Sequence, residues 1–249
     1  MTESKVDTPW DWKSSAIVFL IIIGMNLFII SMIQFSMLSS TGWVIDFDAH
    51  VVVETGSMAG VWIGTLIGEL LILVVTLFFA VRYYKGRLGH FNFKIPSLKH
   101  LGIAVGGAFL ALGVSYIGNF LNYLATGLDP NLEIYNALFR SSNWFEVIIW
   151  IILMMAIVGT CEEIFARGFV QKGLQNSCKL KNISVFIGIL LASLLFAALH
   201  LDIYRIIPLF FVGIVLGLVF YFTKDNSLAA AITHGLYNSI GILLIFLFP

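Results

Sequence analysis

Apolar runs of about 20 residues recur along almost the whole chain, and this pattern constrains the fold more than any other feature. A helix of that length spans the hydrocarbon core of a bilayer. Of the 249 residues, 59% are hydrophobic and only 11% are charged. A soluble globular domain carries roughly 25% charged residues, so the composition excludes that class. We therefore predict an all-α protein, a polytopic transmembrane helical bundle.

Seven apolar segments are predicted to cross the membrane, and an eighth is added if the segment 44–53 enters the bilayer. The predicted spans are residues 14–38, 58–81, 101–125, 144–172, 183–201, 206–222 and 227–248. Neither an internal repeat nor a low-complexity tract interrupts them. Residues 1–249 are therefore predicted to form a single integral membrane domain.

The distribution of Lys and Arg predicts the orientation. These residues concentrate before the first span and after the second, fourth and sixth spans. Because positive charge is retained on the cytoplasmic side, the N-terminus is expected inside and the C-terminus outside. Residues 1–13 are polar and precede a long apolar run without a small-residue cleavage site, so we expect a retained first span. This is the pattern of a multi-pass protein of the cell (plasma) membrane.

Charge and cysteine content narrow the expected partners. The net charge of +0 gives no indication of nucleic acid, so nucleic acid is not an expected partner. Cys161 and Cys178 form neither a disulfide framework nor a metal-ligand spacing. We expect Cys161 to be a small, buried, inert thiol rather than a nucleophile.

Two adjacent carboxylates and a guanidinium end the apolar run of the fourth span. An ionised side chain inside a bilayer costs a few kcal/mol or more, so such residues usually have a partner and a function. Glu163 and Arg167 are four residues apart on a helix and share a face, so they can pair. Glu162 is rotated by about 100° from Glu163 and points elsewhere. One carboxylate is thus predicted to be held, and the other to be free for chemistry.

Polar residues also interrupt later spans. Phe196 and His200 in the fifth span, and His234 and Asn238 in the seventh, each have the spacing i, i+4 that places both on one helix face. Glu69 in the second span is the only other carboxylate deep in an apolar run. It could line the same cavity or pair with the arginine of the fourth span.

One glutamate, two histidines and an asparagine that converge in a wet cavity can form a hydrolytic site. A carboxylate can act as general base on a water that imidazole and amide groups hold. Alternatively, the histidines and a glutamate bind Zn²⁺, which lowers the pKa of the bound water to around 7. The signature of two histidines flanking a glutamate on one helix is absent, so the ligands would come from separate helices. Asn238 and Arg167 are candidate donors to an oxyanion.

Together these residues resemble the CPBP family of intramembrane proteases, which includes CAAX prenyl protease type II and the bacteriocin-processing, or Abi, proteins. The family pattern is Glu-Glu-x-x-x-Arg, then Phe-x-x-x-His, then His-x-x-x-Asn, on successive helices. All three elements occur in order within residues 144–242, the predicted catalytic core helices. The matching residues are Glu162, Glu163, Arg167, Phe196, His200, His234 and Asn238.

The resemblance implies a role for each position. Glu162 would be the catalytic carboxylate that activates water, and Asn238 would stabilise the oxyanion. His200 and His234 would orient the water or, with Glu162, bind a metal. Zinc is therefore an alternative to a metal-free glutamate mechanism. The supporting residues would be Glu163, Arg167 and Phe196.

The resemblance also implies an intramembrane endopeptidase that hydrolyses a peptide bond of a membrane-associated peptide or lipidated protein. Substrates would be CAAX-like prenylated tails, or bacteriocin and pheromone precursors. The short loops favour a bacterial peptide precursor or bacteriocin immunity. The alternatives are a non-catalytic membrane scaffold or regulator, and a small proton-coupled transporter that uses Glu162 and the histidines as a relay. A transporter would more often show an inverted repeat with broken helices, which is absent here.

The two histidines pose a problem of depth. On a regular fifth span His200 lies roughly 28 Å from Lys181, whereas His234 is only about 10 Å from the start of the seventh span. Both can reach Glu162 only if the fifth span is tilted and short, or begins well below the membrane. We therefore expect the helix of Glu162 to continue into the cytoplasm and the next helix to begin there.

Overall fold

A computed structural model describes residues 8–46, 51–127, 138–177 and 181–248. Long helices dominate it, which confirms the all-helical, membrane-type architecture. The helices are α1 Trp12–Ser40, α2 Met58–Tyr83, α3 Leu98–Thr126, α4 Trp144–Asn176, α5 Lys181–Leu199, α6 Ile206–Phe222 and α7 Ser227–Leu247. These bounds lie within a few residues of the predicted spans.

The helices differ in length. Within the described residues, five are long and apolar enough to cross a membrane: α1, α2, α3, α4 and α7. Helix α5 has 19 residues and begins at Lys181, and α6 is shorter, with 17 residues. The total of seven spans therefore remains a prediction.

The segment considered as an eighth span has a different structure. Its described residues form two short antiparallel strands, β1 Val44–Asp46 and β2 Val51–Glu54. Val44 pairs with Glu54, and Asp46 pairs with Val51. The hairpin connects α1 to α2, and no helix forms in the part of 44–53 that the structure describes.

Polar residues mark where the helices begin. The side chains of Asp11, Ser57, Ser97, Asn143 and Asn226 each accept a hydrogen bond from a backbone N–H of the first turn of a helix. Such N-caps satisfy amide groups that have no partner within the helix. These capping residues therefore mark where α1, α2, α3, α4 and α7 begin.

The packing places α4 and α7 side by side near the centre of the bundle. Helix α6 packs against α3 and α5, and α7 packs against α3 and α4. The side chains of Leu216 and Phe220 on α6 are fully buried. Helix α4 also contacts α1, α2 and α5, so residues of α2, α5 and α7 can meet on its surface.

Helix α4 is irregular around the two carboxylates. Leu153–Val158 and Ile164–Gln171 are wound as π-helix, and the five residues Gly159–Glu163 between them are α-helical. π-helical turns in α-helices occur frequently at functional sites. The carboxylates thus lie at the end of a short regular turn inside a widened helix.

The depth problem is resolved by the lengths of α4 and α5. Lys172 Nζ donates a hydrogen bond to His90 O, and Ser227 Oγ at the start of α7 donates to Phe91 O. Lys172 and Ser227 therefore lie at the same height along the axis of the bundle. Helix α4 continues beyond that level to Asn176 before α5 begins, so the long α5 returns to the height of Glu162, as expected.

Glycines permit the close approach of α4 and α7. A Cβ atom on Gly159 would lie 2.7 Å from Ala231 O, and one on Gly235 would lie 2.8 Å from Met155 Cα. Real side chains do not tolerate such contacts with backbone atoms. The two glycines therefore bring the Glu162 turn of α4 within reach of His234.

Replacing Gly235 with alanine should separate α4 from α7. Overpacking of this kind typically costs about 1–3 kcal/mol. Gly241→Ala on the same helix is the matched control, because a Cβ atom there would meet no other atom within 4 Å. Thermal unfolding in detergent should show Gly235→Ala clearly destabilised and Gly241→Ala unchanged or slightly stabilised. Equal stability of the two variants would contradict this account of the helix contact.

Candidate active site

Glu163 and Arg167 form a buried ion pair on α4. Arg167 Nε lies 3.1 Å from Glu163 Oε2, and both side chains are fully excluded from solvent. Arg167 Nη2 donates a hydrogen bond of 3.3 Å to Gly213 O on α6. The pairing predicted from the spacing of four residues is confirmed.

Glu163 also orients a histidine of another helix. Its Oε1 atom lies 3.0 Å from His234 Nδ1 on α7. A carboxylate can only accept here, so the Nδ1–H of His234 donates. This contact fixes the ring and directs Nε2 toward Glu162, whose Oε2 is 4.0 Å away.

His200 reaches the same carboxylate from the end of α5. The structure ends that helix at Leu199 and places His200 in the following turn, whereas the sequence placed it inside the span. Its Nδ1–H donates to Phe196 O over 2.8 Å, which satisfies a carbonyl of the last turn. Nε2 is thereby directed to Glu162 Oε2, at 3.9 Å.

Glu162 is therefore the point where three helices meet. Two imidazole Nε2 atoms face one buried carboxylate oxygen at nearly equal distances. No amide or hydroxyl donor of the described residues is within hydrogen-bonding distance of that oxygen. The structure thus brings Glu162, His200 and His234 together, as predicted.

Phe196 packs at the centre of the cluster. Its ring centroid is 4.8 Å from that of His200 and 5.7 Å from that of His234, both edge to face. The guanidinium of Arg167 lies 4.9 Å from the same ring, a cation–π contact. One buried aromatic ring thus contacts both imidazoles and the cation of the ion pair, and its supporting role stays a prediction.

Asn238 lies one turn beyond His234 on α7 and is half-buried. Its side chain makes no hydrogen bond with Glu162, His200 or His234 among the described contacts. The i, i+4 relation to His234 is present on a regular helix. The assignment of Asn238 to the oxyanion remains a prediction.

Glu69 of α2 lies near the candidate catalytic glutamate, and its carboxyl group interacts electrostatically with that of Glu162. Two carboxyl groups would share a hydrogen bond only if one of them carried a proton. The alternative pairing of Glu69 with Arg167 is not formed, since Glu163 pairs with that guanidinium. Sequence analysis noted Glu69 as a second carboxylate in the apolar runs but did not include it in the site.

The structure describes one of the two cysteines, Cys161, which was expected to be a small, buried thiol. Cys161 is a free thiol and only 2% exposed, which agrees with a small buried side chain. Cys178 lies outside the described residues. Because Cys161 neighbours Glu162 in a closed interior, its inert role remains the simplest prediction.

The donor types of Glu162, His200 and His234 suit zinc, but their arrangement does not form a ready metal site. Within the described ranges, no three His, Cys, Asp or Glu side chains are grouped as ligands of one metal ion. Glu162 also has a second carboxyl group near it, that of Glu69. No catalytic step is therefore assigned to a metal, and zinc remains an untested expectation.

A known protein family matches the segment that contains the candidate site. Residues 143–240 match the family model described as Type II CAAX prenyl endopeptidase Rce1-like. The match includes every residue of the three sequence elements and excludes α1 to α3. This segment resembles the CPBP family, as predicted. The family match and the apolar helices together indicate that the chain is a multi-pass membrane protein.

A curated relative is similar over part of the chain. It is an uncharacterised protein of Mycoplasma capricolum subsp. capricolum, 32% identical over 107 residues. The aligned region is 42% of this chain and 30% of the relative, so the chain spans less than a third of that protein's length. No solved structure matches the chain at a significant level.

Arg167→Leu should destabilise the protein strongly. It leaves the Glu163 carboxylate buried without its cation, and removal of one partner of a buried pair costs about 3–5 kcal/mol. Arg140→Leu is the control, because Arg140 is exposed and a surface change usually costs less than about 0.5 kcal/mol. Chemical unfolding in detergent measures both. Similar unfolding midpoints for the two variants would show that the buried pair is not important for stability.

Proposed function

We propose that the protein is an intramembrane endopeptidase that uses Glu162 to activate water. The observation that carries this proposal is the convergence of His200 Nε2 and His234 Nε2 on Glu162 Oε2, at 3.9 and 4.0 Å. These separations exceed a direct hydrogen bond, and polar groups at such distances are commonly bridged by water. The family match supports the same class of reaction.

The first step is proton transfer from water. A water within reach of Glu162 Oε2 donates one hydrogen to the carboxylate and the other to an imidazole Nε2. Both Nδ1 atoms are committed as donors, to Phe196 O and to Glu163, so a neutral ring presents an accepting Nε2. Glu162 removes a proton while the water oxygen attacks the scissile carbonyl carbon.

The second step breaks the peptide bond. The carbonyl oxygen becomes an oxyanion, which an N–H donor must stabilise. We assign the amide of Asn238 to this role, because it extends from the same helix as His234 and is half-buried. Glu162 then returns its proton to the leaving nitrogen, so that an amine and a carboxylic acid are released.

The substrate class follows from the position of the site in an apolar bundle. A peptide bond can reach it only from a segment that is itself membrane-associated. We propose a peptide precursor or a lipidated, CAAX-like tail, and we propose that the N-terminus faces the cytoplasm. Bacteriocin immunity through cleavage of such a peptide is one biological use of this activity.

Glu162→Gln should reduce cleavage by about 100-fold or more, because the general base is lost while the shape is retained. His200→Ala and His234→Ala should reduce it comparably. The assay follows a synthetic peptide with a farnesylated cysteine, and a bacteriocin-type precursor in parallel, by mass spectrometry in proteoliposomes. Metal content of the purified protein is measured on the same samples.

Glu146→Gln is the matched control, since Glu146 lies in the first turn of the same helix and accepts a hydrogen bond from Ser142 N. It should cleave like the wild type. If Glu162→Gln and His234→Ala both retain cleavage, the protease proposal is wrong. A non-catalytic scaffold or a transporter would then take its place.

We further propose that Glu69 positions Glu162 in this reaction. Glu69 approaches from α2, outside the segment that matches the family, and its carboxyl group interacts electrostatically with that of Glu162. A hydrogen bond from Glu69 would fix the Glu162 carboxyl relative to the two imidazoles. A misplacement of about 1 Å of a catalytic group can cost 100-fold in rate, so this contact has a direct effect on turnover.

Glu69→Leu should lower kcat by roughly 10- to 100-fold and leave KM nearly unchanged. Glu69→Gln should recover most of the activity, because its amide can still donate to Glu162. Thr76→Val is the control for a buried polar residue of the same helix, since the Thr76 hydroxyl donates to Ile72 O within α2. If Glu69→Leu and Thr76→Val have the same kcat, the positioning role is excluded.

A further inference from the structure

The connection between α2 and α3 carries only positive charge. Residues 82–100 contain five Lys and Arg residues and no Asp or Glu. All five are exposed in the structure. They are Arg82, Lys85, Arg87, Lys94 and Lys99. We call residues 82–100 the basic platform.

Large apolar side chains are exposed among these cations. Ile95 is 90% exposed and Leu98 is 86% exposed, and Tyr83, Leu88 and Phe93 also project outward. Exposed apolar groups interleaved with basic ones are typical of segments that lie in the interface of a membrane. The platform also joins the ends of two helices that are long and apolar enough to cross a bilayer, so it lies at the membrane surface.

The platform is held in place by the rest of the protein. Its 3₁₀ turn Leu88–Phe91 packs against Trp10, whose ring contacts both His90 and Phe91. Asn92 Nδ2 donates to Lys224 O over 2.8 Å. The cations are therefore presented by a fixed scaffold rather than by a free linker.

The platform is also hydrogen-bonded to the start of α7, the helix that carries His234. Asn226 Oδ1 caps α7 by accepting from Leu228 N and Ala229 N, and its Nδ2 donates to Lys94 O. Ser227 Oγ donates to Phe91 O. The start of the helix that carries His234 is thus bonded directly to the platform.

We infer that the basic platform is a binding surface for the headgroups of anionic phospholipids. Five exposed cations with no acidic residue among them complement a negatively charged leaflet, and the apolar side chains would enter its interface. Each Lys or Arg near an anionic surface contributes about fivefold to affinity. Because α7 begins on this surface, bound anionic lipid would stabilise the bundle around its N-terminal end.

The test compares phosphatidylglycerol with phosphatidylcholine added to the full chain in a neutral detergent. Thermal unfolding and lipid retention in native mass spectrometry are measured. Phosphatidylglycerol should raise the unfolding midpoint more than phosphatidylcholine, and added salt should reduce the difference because it screens exposed charges. The double variant Lys94→Gln/Lys99→Gln should bind phosphatidylglycerol roughly 25-fold more weakly.

Lys13→Gln/Arg140→Gln is the matched control, since it removes two cations outside the platform. It should keep its preference for phosphatidylglycerol, and both double variants should unfold like the wild type in phosphatidylcholine. Equal stabilisation by the two lipids would overturn the inference. It would also be overturned if both double variants lost the preference equally, because the effect would then belong to overall charge and not to this surface.

Discussion

A carboxylate buried among apolar helices must be compensated on each of its oxygens, and Glu163 determines the organisation of the site for that reason. Its Oε2 faces Arg167 on the same helix, and its Oε1 accepts from His234 on α7. Leaving either oxygen alone in this environment would cost several kcal/mol. The two contacts therefore fix the register of α4 against α7, and they leave the adjacent Glu162 facing the two imidazole Nε2 atoms.

Much of this arrangement follows from sequence because it depends on helical periodicity. The apolar runs predicted the helices, and the spacing of four predicted the Glu163–Arg167 pair. The convergence of His200 and His234 on Glu162 followed from motif order and not from geometry, and the apparent difference in depth was resolved only by the lengths of α4 and α5. The π-helical turns around Gly159–Glu163 have no sequence signal of comparable strength.

The features of the site that the sequence did not predict are contacts between distant segments of the chain. The hydrogen bond between Glu163 and His234 joins residues 71 positions apart, and the approach of Glu69 to Glu162 depends on the packing of α2 against α4. Neither follows from the period of a single helix. The segment 44–53 was ambiguous for another reason: its apolar residues are largely β-branched, and such residues favour the extended strands that the structure shows.

The length of α6 has a consequence for the surrounding lipid. Its 17 residues, Ile206–Phe222, correspond to roughly 26 Å, against a hydrocarbon thickness of about 30 Å. Such a hydrophobic mismatch favours local thinning of the bilayer beside this helix. His200 lies in the turn that joins α5 to α6, so thinning there would bring the headgroup region and its water closer to Glu162. A short helix would in this way supply water to a buried carboxylate from the lipid side.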